Sequence, residues 1–132
     1  MAKNNPHSVD SILADLTAGK IAPVYFLQGE EPFFIDQLSD YIEKNLLPES
    51  EKGFNQTVIY GKDTDINTVL TAAKRYPMMA QRQVVIVKEA QEVKDMEKGI
   101  KNKVGGKEIE FNPLEEYIKN PVPTTVLVIC FK

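Results

Sequence analysis

The sequence predicts an α/β domain of three layers, α/β/α, in which helices cover both faces of a mostly parallel sheet of about four strands. Four runs, at 24–27, 55–60, 84–87 and 124–131, are apolar and β-branched enough to be strands with two covered faces. Between them stand segments whose apolar residues recur at three- and four-residue spacing. Each strand is therefore followed by a helix, and strands joined through helices run parallel. The scale agrees: 132 residues can bury one core and not two, which makes 1–132 a single domain.

Taken in order, residues 1–7 read as a flexible polar arm. Ser8 then caps a short helix in which Val9, Ile12, Leu13 and Leu16 share one side, and Gly19 ends it. The run at 24–27 reads as a strand buried on both faces. From Pro32 to Leu46, Ile35, Leu38, Ile42 and Leu46 form a stripe widened by Phe34 and Tyr41, and Pro48 stops that helix. The second strand, 55–60, leads through the turn "GKDTD" to a helix capped by Asp65 and carrying Ile66, Val69, Leu70 and Ala73. Pro77 lacks the N–H that the helix would need, so the helix ends near Tyr76.

The third strand, 84–87, is followed at 90–107 by residues of both charge signs ending in Gly105-Gly106, read as a mobile charged connection with a single helical turn. Asn112 caps a further helix with Pro113, Glu115 and Glu116 in its first turn, and Leu114, Tyr117 and Ile118 facing the core. The fourth strand, 124–131, ends next to Lys132. A doubly wound domain would continue with another helix and strand, so the expectation is an N-terminal piece of a longer chain.

Composition narrows the function. A net charge of −3 disfavours a domain that grips nucleic acid by itself, because phosphate neutralisation needs a concentrated basic face. The single cysteine, Cys130, excludes an internal disulfide and a cysteine-based zinc site, and its apolar neighbours mark it as a buried strand thiol. No 18-residue apolar span and no signal-peptide core occur, so a cytoplasmic protein with no membrane contact is expected.

The stretch "LQGEEPFFID" stands where a nucleotide-binding α/β protein puts its phosphate loop, between the first strand and a helix. Such a loop needs a second glycine for close backbone approach, a lysine for the phosphates and a hydroxyl for Mg²⁺. Counting from Gly29, those places hold Phe34, Ile35 and Asp36. Glu30 and Glu31, with Pro32, cap the helix themselves and would repel a phosphate. The loop is degenerate, so no cofactor is expected. The acidic place after the third strand holds Lys88 before Glu89, and Glu89 reads as a solvated strand-end charge. The only histidine, His7, lies in the arm, while Glu115/Glu116 and Asp63/Asp65 read as caps. No catalytic or metal-binding residues are identified.

Three segments, "VYFLQGEEPFFID", "YPMMAQRQVVIVKEA" and "PLEEYIKNPVPTTVLVI", together with the helix from Val9 to Leu16, resemble the N-terminal domain of the bacterial DNA polymerase III delta subunit, a clamp-loader component. The resemblance spans nearly the whole sequence. It implies a fold like the AAA+/P-loop NTPases with nucleotide binding lost, a role in binding and opening the sliding clamp during DNA replication, sister clamp-loader subunits as partners, and DNA only as an indirect one. It also implies that an apolar pair before the third strand enters a pocket on the clamp. The matching places are Met78 and Met79, where the family often has leucine and phenylalanine.

The residues themselves agree with exposure. Pro77 and the polar Gln81, Arg82 and Gln83 isolate the methionine pair in a helix-to-strand connection, with Pro77 and Arg82 flanking it. Flexible, polarizable methionine suits a surface that must adapt to a partner. In a parallel sheet that connection lies at the end opposite the degenerate loop. Two rival readings are a divergent nucleotide hydrolase using Gly29 and Glu89, and an AAA+-like scaffold that binds only sister subunits.

Overall fold

The computed structural model describes residues 9–28, 32–94, 100–104 and 107–131. The predicted arm, Ser8, His7 and the three loop residues Gly29, Glu30 and Glu31 lie outside them. Five helices, α1 (Val9–Thr17), α2 (Pro32–Asn45), α3 (Glu49–Asn55), α4 (Ile66–Ala73) and α5 (Pro113–Lys119), alternate with strands β1 (Val24–Gln28), β2 (Gln56–Tyr60), β3 (Gln83–Lys88) and β6 (Thr125–Phe131). These four strands form one sheet in the order β1-β6-β3-β2, and every pairing is parallel.

Alternation along the strands builds two cores, one on each face of the sheet, rather than the single one expected from the length. Val84 and Ile86 of β3, with Val126, Val128 and Cys130 of β6, pack with Leu16 of α1 and Ile35, Leu38 and Ile42 of α2. Val85 and Val87, with Leu127 and Ile129, pack on the other face with Ile66, Val69, Leu70 and Ala73 of α4 and Leu114 and Tyr117 of α5. A continuous apolar run is what a strand needs when successive side chains enter different cores. The expected three-layer architecture is the observed one.

The caps also form as the sequence indicates. Asp65 Oδ1 accepts from Thr68 N at 2.8 Å, Asn112 Oδ1 accepts from Glu115 N at 3.1 Å, and Gly19 takes φ +82° after α1.

Several local expectations are corrected. The first strand is covered on one face only: Tyr25 and Leu27 are buried, but Phe26 is 44% exposed, with its ring 5.0 Å from that of Phe131. The reason is the order of the sheet, which puts β1 at an edge while α4 and α5 cover β3 and β6. Phe34 and Ile118 also face solvent. Each lies next to a buried neighbour, Ile35 or Tyr117, and at about 100° per residue one step carries it out of the packed stripe.

The region read as a connection at 90–107 holds more structure than one turn. Ala90–Glu92 is a 3-10 turn, and Ile100–Val104 (β4) pairs antiparallel with Lys107–Phe111 (β5). The register runs from Ile100 opposite Phe111 to Val104 opposite Lys107. The helix α3 was not expected, since "ESEKGFN" carries no apolar stripe.

Candidate functional site

Two places in the fold are candidates, one at each end of the parallel sheet. At the carboxyl end of β1, the chain enters α2 at Pro32. Ile35, at the lysine place of a phosphate loop, is buried in the core rather than aimed at an anion site. Phe34, at the glycine place, is exposed and meets Phe33 edge to face at 5.4 Å. At the carboxyl end of β3, separated from β1 by β6, Lys88 Nζ lies 3.4 Å from Glu43 Oε1 of α2. The cation that displaces the usual acidic residue is thus paired with a helix carboxylate. Glu89 is exposed, with a left-handed backbone (φ +52°).

No three His, Cys, Asp or Glu side chains come together as a metal site among the described residues. Asp63 lies in a 3-10 turn, and Asp65 caps α4; the Thr68 N–H holds the Asp65 carboxyl below its usual range. Glu115 and Glu116 occupy the first turn of α5. These carboxylates sit where helix starts favour negative charge.

The opposite end presents the methionine pair. The helix α4 stops at Ala73, and β3 begins at Gln83, so residues 74–82 cross the amino-terminal rim of the sheet. Within this crossing Met78 is 60% exposed and Met79 fully exposed. Tyr76 beside them is also exposed. Met79 takes φ +55°, the left-handed region that a non-glycine residue rarely adopts.

Two buried amide side chains hold the crossing. Asn55 Oδ1 accepts from Met78 N at 2.6 Å, and Asn55 Nδ2 donates to Met78 O at 2.9 Å. Gln83 Nε2 donates to Arg75 O at 2.7 Å and to Thr125 Oγ1 at 2.9 Å, and Thr125 Oγ1 donates to Ala73 O at 2.7 Å. Because Gln56 lies opposite Val84 in the β2–β3 register, Asn55 stands level with Gln83, the first residue of β3, on the same rim. The tip is held near both its start and its middle.

Pro77 is partly buried behind Met78 in the chain. Arg82 is partly exposed and forms no ion pair among the described residues; with Met79 it borders a shallow recess against Leu47, Pro48 and Glu51. Residues 74–82 carry three positive charges, Lys74, Arg75 and Arg82, and no negative one. The arrangement offers an apolar projection with a basic rim, suited to an apolar pocket with acidic surroundings. The sequence showed the methionine pair but not its supports. Asn55 read as the first residue of a strand, and nothing in a single sequence separates a buried amide from a solvated one.

Comparison with known proteins covers nearly the whole chain. The family described as DNA polymerase III, delta subunit, matches residues 25–132. The DNA polymerase III subunit delta of Bacillus subtilis (strain 168) is 29% identical over 121 residues, covering 92% of this chain and 33% of that protein. The solved structure of the Bacillus subtilis DNA clamp loader delta protein (YqeN) superposes with a TM-score of 0.74 at 27% identity, covering 94% of this chain and 35% of its own. The chain thus spans about a third of the length of both relatives.

Proposed function

The chain belongs to the family of DNA polymerase III delta subunits, and from that membership we propose that it binds a sliding clamp through Met78 and Met79 and helps to open it, without catalysis of its own. The observation that carries this reading is the methionine pair itself. Two large apolar side chains stand exposed at the rim of the sheet, on a backbone fixed by Asn55 and Gln83. Exposed apolar groups rimmed by charge are how a protein-binding surface is built.

Burying two methionine side chains is worth roughly 3–6 kcal/mol, or about 10²–10⁴ in affinity if little ordering is lost. A tip already held in one conformation loses little. Lys74, Arg75 and Arg82 add attraction to an acidic rim and speed encounter. Opening follows only if the tip binds an open or strained clamp interface more tightly than a closed one, because a ligand shifts an equilibrium by its differential affinity alone.

Sister clamp-loader subunits are its further partners, DNA is met only through the assembly, and its place is the cytoplasm. Among the described residues no helix is long and apolar enough to cross a membrane. The buried Ile35 and the Lys88–Glu43 pair support a nucleotide position that has lost its chemistry.

The test compares the full-length protein's affinity for the closed clamp ring and for a clamp variant whose ring interface is weakened. Tighter binding to the weakened ring supports opening; equal affinity overturns it. Titration with Mg-ATP should give no saturable heat, and micromolar binding would favour the hydrolase reading instead.

A further inference from the structure

The structure points to a residue behind the tip, and we propose that Asn55 is the positioning residue that holds Met78 and Met79 in their binding conformation. This rests on the clamp-binding reading above and extends it to a side chain that cannot itself touch the partner, since Asn55 is only 3% exposed.

The geometry is specific. Asn55 ends α3, and its amide closes a two-bond ring with Met78, accepting from its N–H at 2.6 Å and donating to its carbonyl at 2.9 Å. Only a side chain carrying both an acceptor and a donor can make that pair, which asparagine does and aspartate does not. The residue held this way immediately precedes Met79, whose φ of +55° is unfavourable for a side chain with a Cβ. Such a conformation persists where the surroundings over-determine it. Among the described residues, Asn55 makes the only hydrogen bonds to the Met78 main chain, and Gln83 pins the chain only as far as Arg75.

Without Asn55, residues 76–80 would be tied to the sheet only through Arg75 and Gln83, and the conformation that projects both methionines would be one among several. Apparent affinity then falls by the fraction of time the competent conformation is occupied. Asn55 therefore acts on binding through preorganisation, with no contact to the partner.

The test uses the full-length protein and two readouts. Amide hydrogen exchange in the free protein should rise at least about 10-fold at Met78 in Asn55→Ala while β3 and β6 stay protected, and clamp affinity should fall by about 10-fold. Asn55→Asp keeps the acceptor for the Met78 N–H and loses the donor, and should fall between the two; it also serves if the alanine variant does not fold. Exchange that is unchanged at the tip, or raised equally throughout the sheet, would overturn the proposal, as would a loosened tip with undiminished affinity. Failure of the clamp reading has a different signature: unchanged binding by Met78→Ala/Met79→Ala, in which Asn55 is intact.

Discussion

Gln83 and Thr125, on adjacent strands, form a buried relay at the sheet rim: Gln83 Nε2 donates to Thr125 Oγ1 at 2.9 Å, and that hydroxyl donates to the Ala73 carbonyl at 2.7 Å. The relay reaches the last turn of α4, where helix carbonyls have no partner within the helix. Gln83 also reaches Arg75 O at 2.7 Å, so one side chain ties β3, β6 and the start of the tip together. Gln83→Leu keeps the bulk and removes the bonds that Gln83 Nε2 donates, leaving only the Thr125–Ala73 bond of the relay. It should cost about 1–3 kcal/mol, the price of unpaired buried carbonyls, read as a lower midpoint in urea unfolding.

Asp65 should make stability depend on pH in one direction. Its carboxylate accepts from Thr68 N at 2.8 Å, and this bond above all holds its pKa below the ordinary carboxylate value. A depressed value means the unfolded chain binds the proton more readily. The stabilisation is therefore present above the ordinary value and is lost as pH falls through the depressed one. Asp65→Asn keeps a capping oxygen and should unfold with less acid dependence. Asp65→Ala should be less stable than both near neutral pH, by urea unfolding across a pH series.

Two glycines should respond oppositely to alanine. A Cβ at Gly61 would collide with the backbone carbonyl of Glu89, which belongs to a turn and cannot swing aside as a side chain could. Gly61→Ala should cost about 1–3 kcal/mol. Gly53, within α3, has nothing near its would-be Cβ. Gly53→Ala should stabilise by about 0.5–1 kcal/mol, since glycine gives up the most backbone freedom in a helix. Thermal unfolding of the two variants checks both signs.

The sheet was legible in the sequence because β3 and β6 are continuously apolar, and such runs fit only strands that feed two cores. The caps were legible because Asp65 and Asn112 stand within two residues of where the apolar periodicity begins. Phe26 was not, since its exposure depends on which neighbours flank β1, a property of strand order rather than of the strand. The hairpin β4–β5 was hidden by lysine and glutamate at alternate places, a pattern that equally suits a solvated loop. At the candidate site, Met78 and Met79 stood out as an apolar island between Pro77 and polar residues. Asn55 did not, because its partner is a backbone 23 residues away. The left-handed turn at Met79 was equally silent, as methionine carries no preference for it.

The central claim is that clamp binding resides in the methionine pair, and titration of the cognate sliding clamp with the full-length protein and with Met78→Ala/Met79→Ala measures it most directly. Both side chains are exposed, so the variant should keep its unfolding midpoint. Its affinity should fall by about 10²–10⁴. An unchanged affinity with the fold intact would contradict the account.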